Sequence, residues 1–352
     1  MIISEWLDSE NEKAEILNLS RKVFGNVEIV NPSYYDWQYR DNPHGKAIIV
    51  LAKDEEKNNS VIGIEAILPM RLIVDQEMTM AALSCNSAID PAYRKKGIFS
   101  ELISSIQNES IKKGISCIYG VANDKSVNSF IQKGSIEISN LPLLVRPLRL
   151  SKYFDPPIST LLQIFDGIWK IKRNTNSEVV PFTNQYNAEF DILIEKVSKR
   201  ASVIQKRDKN FLQWRYGNHP TRKYQTFVLN ENSILKGYVI TSDTVVNSKK
   251  IGVIIDFIVD PEVKSREKLK DLIKIALENL WKNGASLAIA TCRSGLLENE
   301  ILRETGFLTI PQFLKPQPLH FILIQTDSNN ANLKKLEMND NWFFSFGDYD
   351  VF

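Results

Sequence analysis

Residues 84–101 read SCNSAIDPAYRKKGIFSE. An apolar run ends at Asp90-Pro91, a basic turn carries Arg94, Lys95 and Lys96 to Gly97, and a helical pattern begins near Ile98. Unpaired N–H groups at a helix N-terminus carry partial positive charge and attract anions. Glycine removes the Cβ that would hold an anion off the backbone, and the basic side chains add charge. Such a loop suits a phosphate cradle; it equally suits a basic turn that caps a surface helix. It is neither a GxxxxGK[ST] loop nor a GxGxxG fingerprint. Cys85, on the same strand, is a conceivable nucleophile. With only three histidines in the chain and none near it in sequence, a small buried core side chain is the better reading. Cys85, Cys117 and Cys292 form no CxxC pair. They suggest neither a disulfide framework nor a zinc site, and no metal is expected.

The elements around this loop occur twice. YYDWQYRDNPHGK at 34–46 matches FLQWRYGNHPTRK at 211–223, with Trp37 on Trp214, Tyr39 on Tyr216 and Pro43 on Pro220. Ile89-Asp90-Pro91 matches Val259-Asp260-Pro261, KKGISCIYGVAN matches KNGASLAIATCR, and FIQKGSI matches LRETGFL. The matches stay in order while their offset drifts only slightly, the mark of an internal duplication. Each half reads as a helical start (11–24; about 186–199), the tryptophan segment, two strands, a third strand ending in Asp-Pro, and an amphipathic helix. A buried strand and a short helix closing on Gly134 or Gly306 follow. Strands alternating with helices predict a mixed α/β layer fold. The expected organisation is a first domain over 1–148, a connector over 149–181, a second domain over 182–326 and a tail over 327–352.

Composition narrows the setting. With 352 residues, 43% hydrophobic and 24% charged, the chain can build two cores. A net charge of +2 suggests no nucleic-acid partner. The N-terminus lacks a signal-peptide pattern, and apolar runs such as IGVIIDFIV are too short to span a bilayer. The expectation is a cytoplasmic protein with no membrane partner.

The stretch AIDPAYRKKGIFSELI resembles motif A of the GNAT acyltransferase superfamily, [QR]-x-x-G-x-[GA] after the fourth strand. Phe99 departs from it, since a small residue is usual there. The family's downstream pattern also has counterparts: a strand over 118–122, Asn123, and a helix ending FIQKGS. The resemblance implies an α/β fold of two tandem GNAT-like mixed-sheet domains, with acyl-CoA as co-substrate and no tightly bound cofactor. It implies that the backbone of Ser87, Ala88 and Ile89 pairs with the pantetheine arm. Arg94, Lys95, Lys96, Gly97, Ile98 and Phe99 would hold the pyrophosphate, with Asn123 and Phe130 along the cofactor. Many relatives carry a tyrosine acid at the place of Phe130, so the acid here is expected to be elsewhere, to be water, or to be unnecessary, since a thiol of pKa about 8.5 leaves tolerably as thiolate. The reaction implied is direct attack of an amine on the thioester, helped by orientation and by N–H groups near Ser87 that hold the oxyanion. His44, Asp348 and Asp350 are the candidate bases. The second half has no glycine in DPEVKSREKLK, and Glu262 and Glu267 add negative charge, so only the first half is expected to bind coenzyme A.

Two fused halves and the aromatic-GDxD ending resemble bacterial N-acyltransferases of nucleotide-linked amino sugars in surface-polysaccharide (O-antigen) synthesis. Their acyl donors are acetyl-CoA or 3-hydroxybutanoyl-CoA, and their acceptors are sugars such as dTDP-3-amino-3,6-dideoxyhexose. On that resemblance the tail over 327–352 would dock near the acceptor site, and the acceptor wall would use Tyr35, Trp37, Arg40, Asp348 and Asp350. Alternatives are an aminoacyl or aminoglycoside acceptor in another tandem enzyme, or a non-catalytic GNAT-like binding module.

Overall fold

A computed structural model describes residues 1–169, 178–261, 264–326 and 331–349; Glu262, Asp350 and the start of the tail at 327–330 lie outside the described residues. The first half contains β1 (Ile2–Glu5), α1 (Glu10–Phe24), α2 (Pro32–Tyr39), β2 (Ile48–Asp54), β3 (Ser60–Val74), β4 (Glu77–Ile89), α3 (Ile98–Lys112), β5 (Cys117–Ala122), α4 (Val127–Gln132), β6 (Ile136–Asn140) and β7 (Leu144–Pro147). After α5 (Ile158–Leu162) in the connector come β8 (Val179–Phe182), α6 (Ala188–Ser198), β9 (Val203–Gln205), α7 (Lys209–Leu212), β10 (Gln225–Glu231), β11 (Ile234–Val246), β12 (Lys249–Val259), α8 (Ser265–Lys282), β13 (Leu287–Ala290), α9 (Leu297–Glu304), β14 (Leu308–Thr309) and β15 (His320–Gln325). The tail adds β16 (Trp342–Phe343). Helix boundaries follow local chemistry: Ser9 accepts from Glu12 N to start α1, and Asn31 accepts from Ser33 N with Pro32 in the first turn of α2.

Two mixed sheets result. One runs β1-β2-β3-β4-β5-β15-β6, with β9 on the far end of β3 and β16 on β9; the other runs β14-β7-β13-β12-β11-β10-β8. The duplication is visible in the register. Parallel pairing of β4 with β5 starts at Ala81 opposite Cys117; that of β12 with β13 starts at Ile251 opposite Leu287, 170 residues on in each strand. The amphipathic helices lie on the sheets in the same way. A Cβ on Gly63 would come within 3.1 Å of Leu102 on α3, and one on Gly237 within 3.0 Å of Leu272 on α8. These glycines let each helix settle close enough to bury its apolar stripe, at about 1.5–3 kcal/mol per Leu or Ile.

The halves are joined in two ways. The last strand of each adds to the other's sheet: β15 lies between β5 and β6, and β7 between β13 and β14. The tryptophan segments meet across a local two-fold axis. Trp37 Nε1 donates to the carbonyl of Trp214 at 2.8 Å, Trp214 Nε1 donates to that of Trp37 at 2.9 Å, and the indoles stack at 4.9 Å. A single core shared by both halves surrounds this pair.

Candidate functional site

Beyond Leu83 opposite Tyr119 the parallel ladder between β4 and β5 stops, although β4 continues to Ile89 and β5 to Ala122. Past the fork β4 stays paired with β3 and β5 with β15, so neighbouring strands in one sheet stop pairing with each other. An unpaired strand edge presents N–H and C=O groups that an extended ligand can meet. Ser87, Ala88 and Ile89 lie on this stretch. A β-bulge shapes it: Ile64 faces Ala88 and Ala66 faces Cys85, so Glu65 alone stands opposite Asn86 and Ser87. Asn86 has φ +55°, a left-handed conformation that asparagine tolerates better than most residues. Its Nδ2 is held by Gln38 Oε1 at 2.6 Å and Tyr39 Oη at 2.9 Å, which ties the bulge to α2.

The loop after β4 leads to the start of α3. Asp90 caps Ala92 N at 2.9 Å and pairs with Lys22 at 2.6 Å. Lys95 (φ +63°) and Gly97 (φ +79°) are both left-handed, and no side chain caps the first turn of α3. A Cβ on Gly97 would meet nothing within 4 Å. Its positive φ, with open space above, is therefore what the position requires. Arg94, Lys95 and Lys96 are exposed; Arg94 Nε donates to Ile89 O at 3.3 Å, and Lys96 lies over the Tyr93 ring. Ile98 is buried beneath the helix. Phe99, the departure from the family pattern, packs edge-on against Phe130 of α4 at 5.4 Å. The two phenylalanines thus make one apolar contact between the helices. Asn123, exposed just after β5, accepts from Lys125 N at 2.9 Å and starts the turn into α4. His320 of β15 braces this turn, 2.8 Å from Asp124 and 2.7 Å from Glu137, and these carboxylates raise its pKa against the effect of burial.

The structure groups the other sequence candidates differently. Tyr35 and Trp37 are buried, the latter in the two-fold stack. Arg40 is held by Asp8, Asp36 and Glu10 at 2.6–3.0 Å. His44 stacks on Phe211, neither ring nitrogen has a hydrogen-bond partner among the described residues, and burial pushes it down to about 4. Asp348 is buried in the second half: its Oδ2 accepts from Arg207 at 2.7 Å, and Arg207 also binds Asp256 at 2.8 Å. Ser345 Oγ reaches Asp256 at 2.8 Å, and Tyr238 Oη donates to Asp256 at 2.8 Å.

That cluster stands where the second half has its own fork. The β12–β13 ladder stops at Val253 opposite Ile289, and Asp256 is the counterpart of Asn86. Arg293, the counterpart of Asn123, donates to the carbonyls of Trp342 at 2.8 Å and of Asp340. The tail therefore touches both prongs of this second fork. Lys264, at φ +65°, takes the left-handed place of Gly97.

Sequence reasoning missed Glu65. Its carboxyl is fully buried at the first fork, accepts from Ser84 Oγ at 2.9 Å and neighbours the Ser87 hydroxyl. Burial pushes it up to about 7. A glutamate in an otherwise apolar strand, IGIEAILPM, was the available signal.

Residues 8–128 match the family described as acetyltransferase (GNAT) domain. Among curated proteins none matches the chain in sequence. Solved structures share the fold across nearly all of it. Saccharomyces cerevisiae N-myristoyltransferase with bound myristoyl-CoA is 13% identical over 92% of this chain and 82% of its own, with TM-score 0.64. A GCN5-related N-acetyltransferase from Anabaena variabilis is 14% identical over 93% and 73%, with TM-score 0.64. A probable N-acyltransferase from Enterococcus faecalis is 11% identical over 93% and 73%, with TM-score 0.63. Residues 8–128 thus match an acetyltransferase (GNAT) domain, and the chain as a whole shares the fold of these structures, with two mixed sheets of GNAT-like form. Among the described residues no helix is long and apolar enough to cross a membrane, and no cluster of three acidic, histidine or cysteine side chains could hold a metal.

Proposed function

We propose that the chain transfers an acyl group from acyl-CoA to the amino group of a small acceptor, using the first half alone. The observation that carries this is the open fork after Leu83 and Tyr119, with the left-handed Gly97 loop and uncapped α3 start beyond it. The pantetheine arm lies along Ser87–Ile89 as an added strand, and the pyrophosphate meets the N–H groups from Arg94 to Phe99 and their lysines. The amine nitrogen attacks the thioester carbonyl, the C–S bond breaks, and the thiolate departs with its electron pair. Phe130 has no proton to give it, and the low basicity of a thiolate makes one unnecessary. The second half has the matching fork bridged by the tail, which leaves it no equivalent groove.

The acceptor is the amino group of a nucleotide-linked hexose, and the acyl group is acetyl or 3-hydroxybutanoyl. Support for this finer reading is the sequence resemblance of the fused halves. Asp348 is committed to Arg207, so the ammonium must meet other carboxylates than that one. Gly97→Glu forces a side chain into positive φ and sets a negative charge at the cradle, and it should abolish coenzyme A binding measured by calorimetry. Ser265→Glu, at the start of α8, should leave affinity within about twofold, below 0.5 kcal/mol. Equal loss from both changes would defeat the one-site reading. Thiol release with acyl-CoA across an amine panel tests the acceptor: free amino acids or polyamines outrunning every nucleotide-sugar would remove it.

A further inference from the structure

A carboxylate that is fully buried and faces no cation is costly, and it persists in a fold when something uses it. Glu65 is 0% exposed and sits on β3 opposite the bulge. Its hydrogen-bonding partner is a hydroxyl: Ser84 Oγ donates to Oε1 at 2.9 Å. Oε2 has no hydrogen-bond partner among the described residues. Ser84 is half-exposed and lies on β4, at the place where it parts from β5. A buried acid is thus connected to the mouth of the fork through a side chain that can accept one proton while giving up another.

The geometry points to Glu65 as the general base of the acyl transfer, working through the Ser84 hydroxyl. This inference rests on the function proposed above. As the N–C bond forms, the attacking nitrogen becomes cationic. Its proton passes to Ser84 Oγ while the Ser84 proton passes to the Glu65 carboxylate, and the tetrahedral centre loses the thiolate as the C–S bond breaks. Glu65 then returns its proton through the same hydroxyl to the thiolate or to water, so that no other reactant is required. The position suits the task because Ser84 is the first residue of β4 past the end of its ladder with β5, where the fork that would carry the thioester opens. Burial, by raising the carboxyl to about 7, also sets its proton affinity where a base works best near neutral pH.

The alternative is that Glu65 only stabilises the bulge. Glu65→Gln keeps the shape and the bond from Ser84 but cannot take a proton. The relay predicts a loss of roughly a hundredfold or more in kcat/KM, with coenzyme A affinity unchanged. It also predicts that the rise of kcat/KM through pH about 7 disappears in Glu65→Gln. Ser84→Ala should slow transfer while retaining that limb, since water can replace a hydroxyl. Glu65→Gln with activity within about threefold of the unaltered protein and the same pH profile would overturn the relay. So would a kcat/KM of the unaltered protein that is flat from pH 6 to 8, a measurement that needs no variant to fold. Absence of transfer to every amine tried would instead remove the enzymatic reading itself and take the relay with it.

Discussion

Arg207 is among the largest fully buried side chains, and it pairs with both Asp256 and Asp348. Replacing it with methionine keeps most of the volume and leaves two carboxylates, 0% and 3% exposed, without their counterion. Breaking a buried pair by removing one partner costs about 3–5 kcal/mol, and with two acids stranded the upper end applies. The same substitution frees Ser345 from one of its partners, so the tail should loosen from β12. Adding Asp256→Asn and Asp348→Asn removes both stranded charges and should restore most of the loss, because a neutral cluster has no desolvation penalty of that size. The assay is urea unfolding with the slope held common across variants, so that the midpoint shift reads the free energy. Asp348→Asn alone should cost about 1–2 kcal/mol and leave the acceptor KM unaltered. A loss below about 1 kcal/mol for Arg207→Met, or no recovery in the triple variant, would refute the view that this cluster fastens the tail. A raised acceptor KM in Asp348→Asn with normal stability would return that residue to the acceptor site.

Truncating the stacked pair should also be expensive. Trp37→Ala and Trp214→Ala should each cost about 3–5 kcal/mol, and a double-mutant cycle in urea should show coupling above about 1 kcal/mol, since each indole donates to the other's backbone; additive effects would count against the joint. Cys85→Ala should retain turnover within about tenfold, because direct transfer forms no acyl-enzyme, and trapping an acylated Cys85 by mass spectrometry would contradict this.

The fold was legible where it rests on local pattern. The helical start at 11–24 appears as Glu10–Phe24, and the helix after the basic loop begins at Ile98, since capping residues and apolar spacing are local signals. The duplication was legible because pairs such as Trp37 and Trp214 occupy two-fold-related places that accept little else. The exchange of β7 and β15 was not, because pattern fixes which residues form a strand and says nothing of which sheet receives it. Of the candidate site, the strand-loop-helix geometry around Gly97 was legible. Glu65 was hidden because its importance depends on a bulge in the neighbouring strand, and bulges leave no periodic trace. The tail's acidic and aromatic residues announced that it would dock, while Arg207, which receives Asp348, lies 141 residues away in sequence.

The reciprocal placement of β7 and β15 makes the two halves mutually incomplete. A gene cut in the connector would encode two fragments, one lacking the strand beside β5 and the other the strand beside β13. Each would expose a raw sheet edge, which is an invitation to aggregate unless its complement is present. The arrangement has the form of a strand-swapped pair of subunits written into one continuous chain. In that covalent form the two halves are free to differ, as they do at Gly97 and Lys264 and at Asn86 and Asp256, while each still lends the other a strand. Two identical subunits could not differ in that way, because every substitution would strike both.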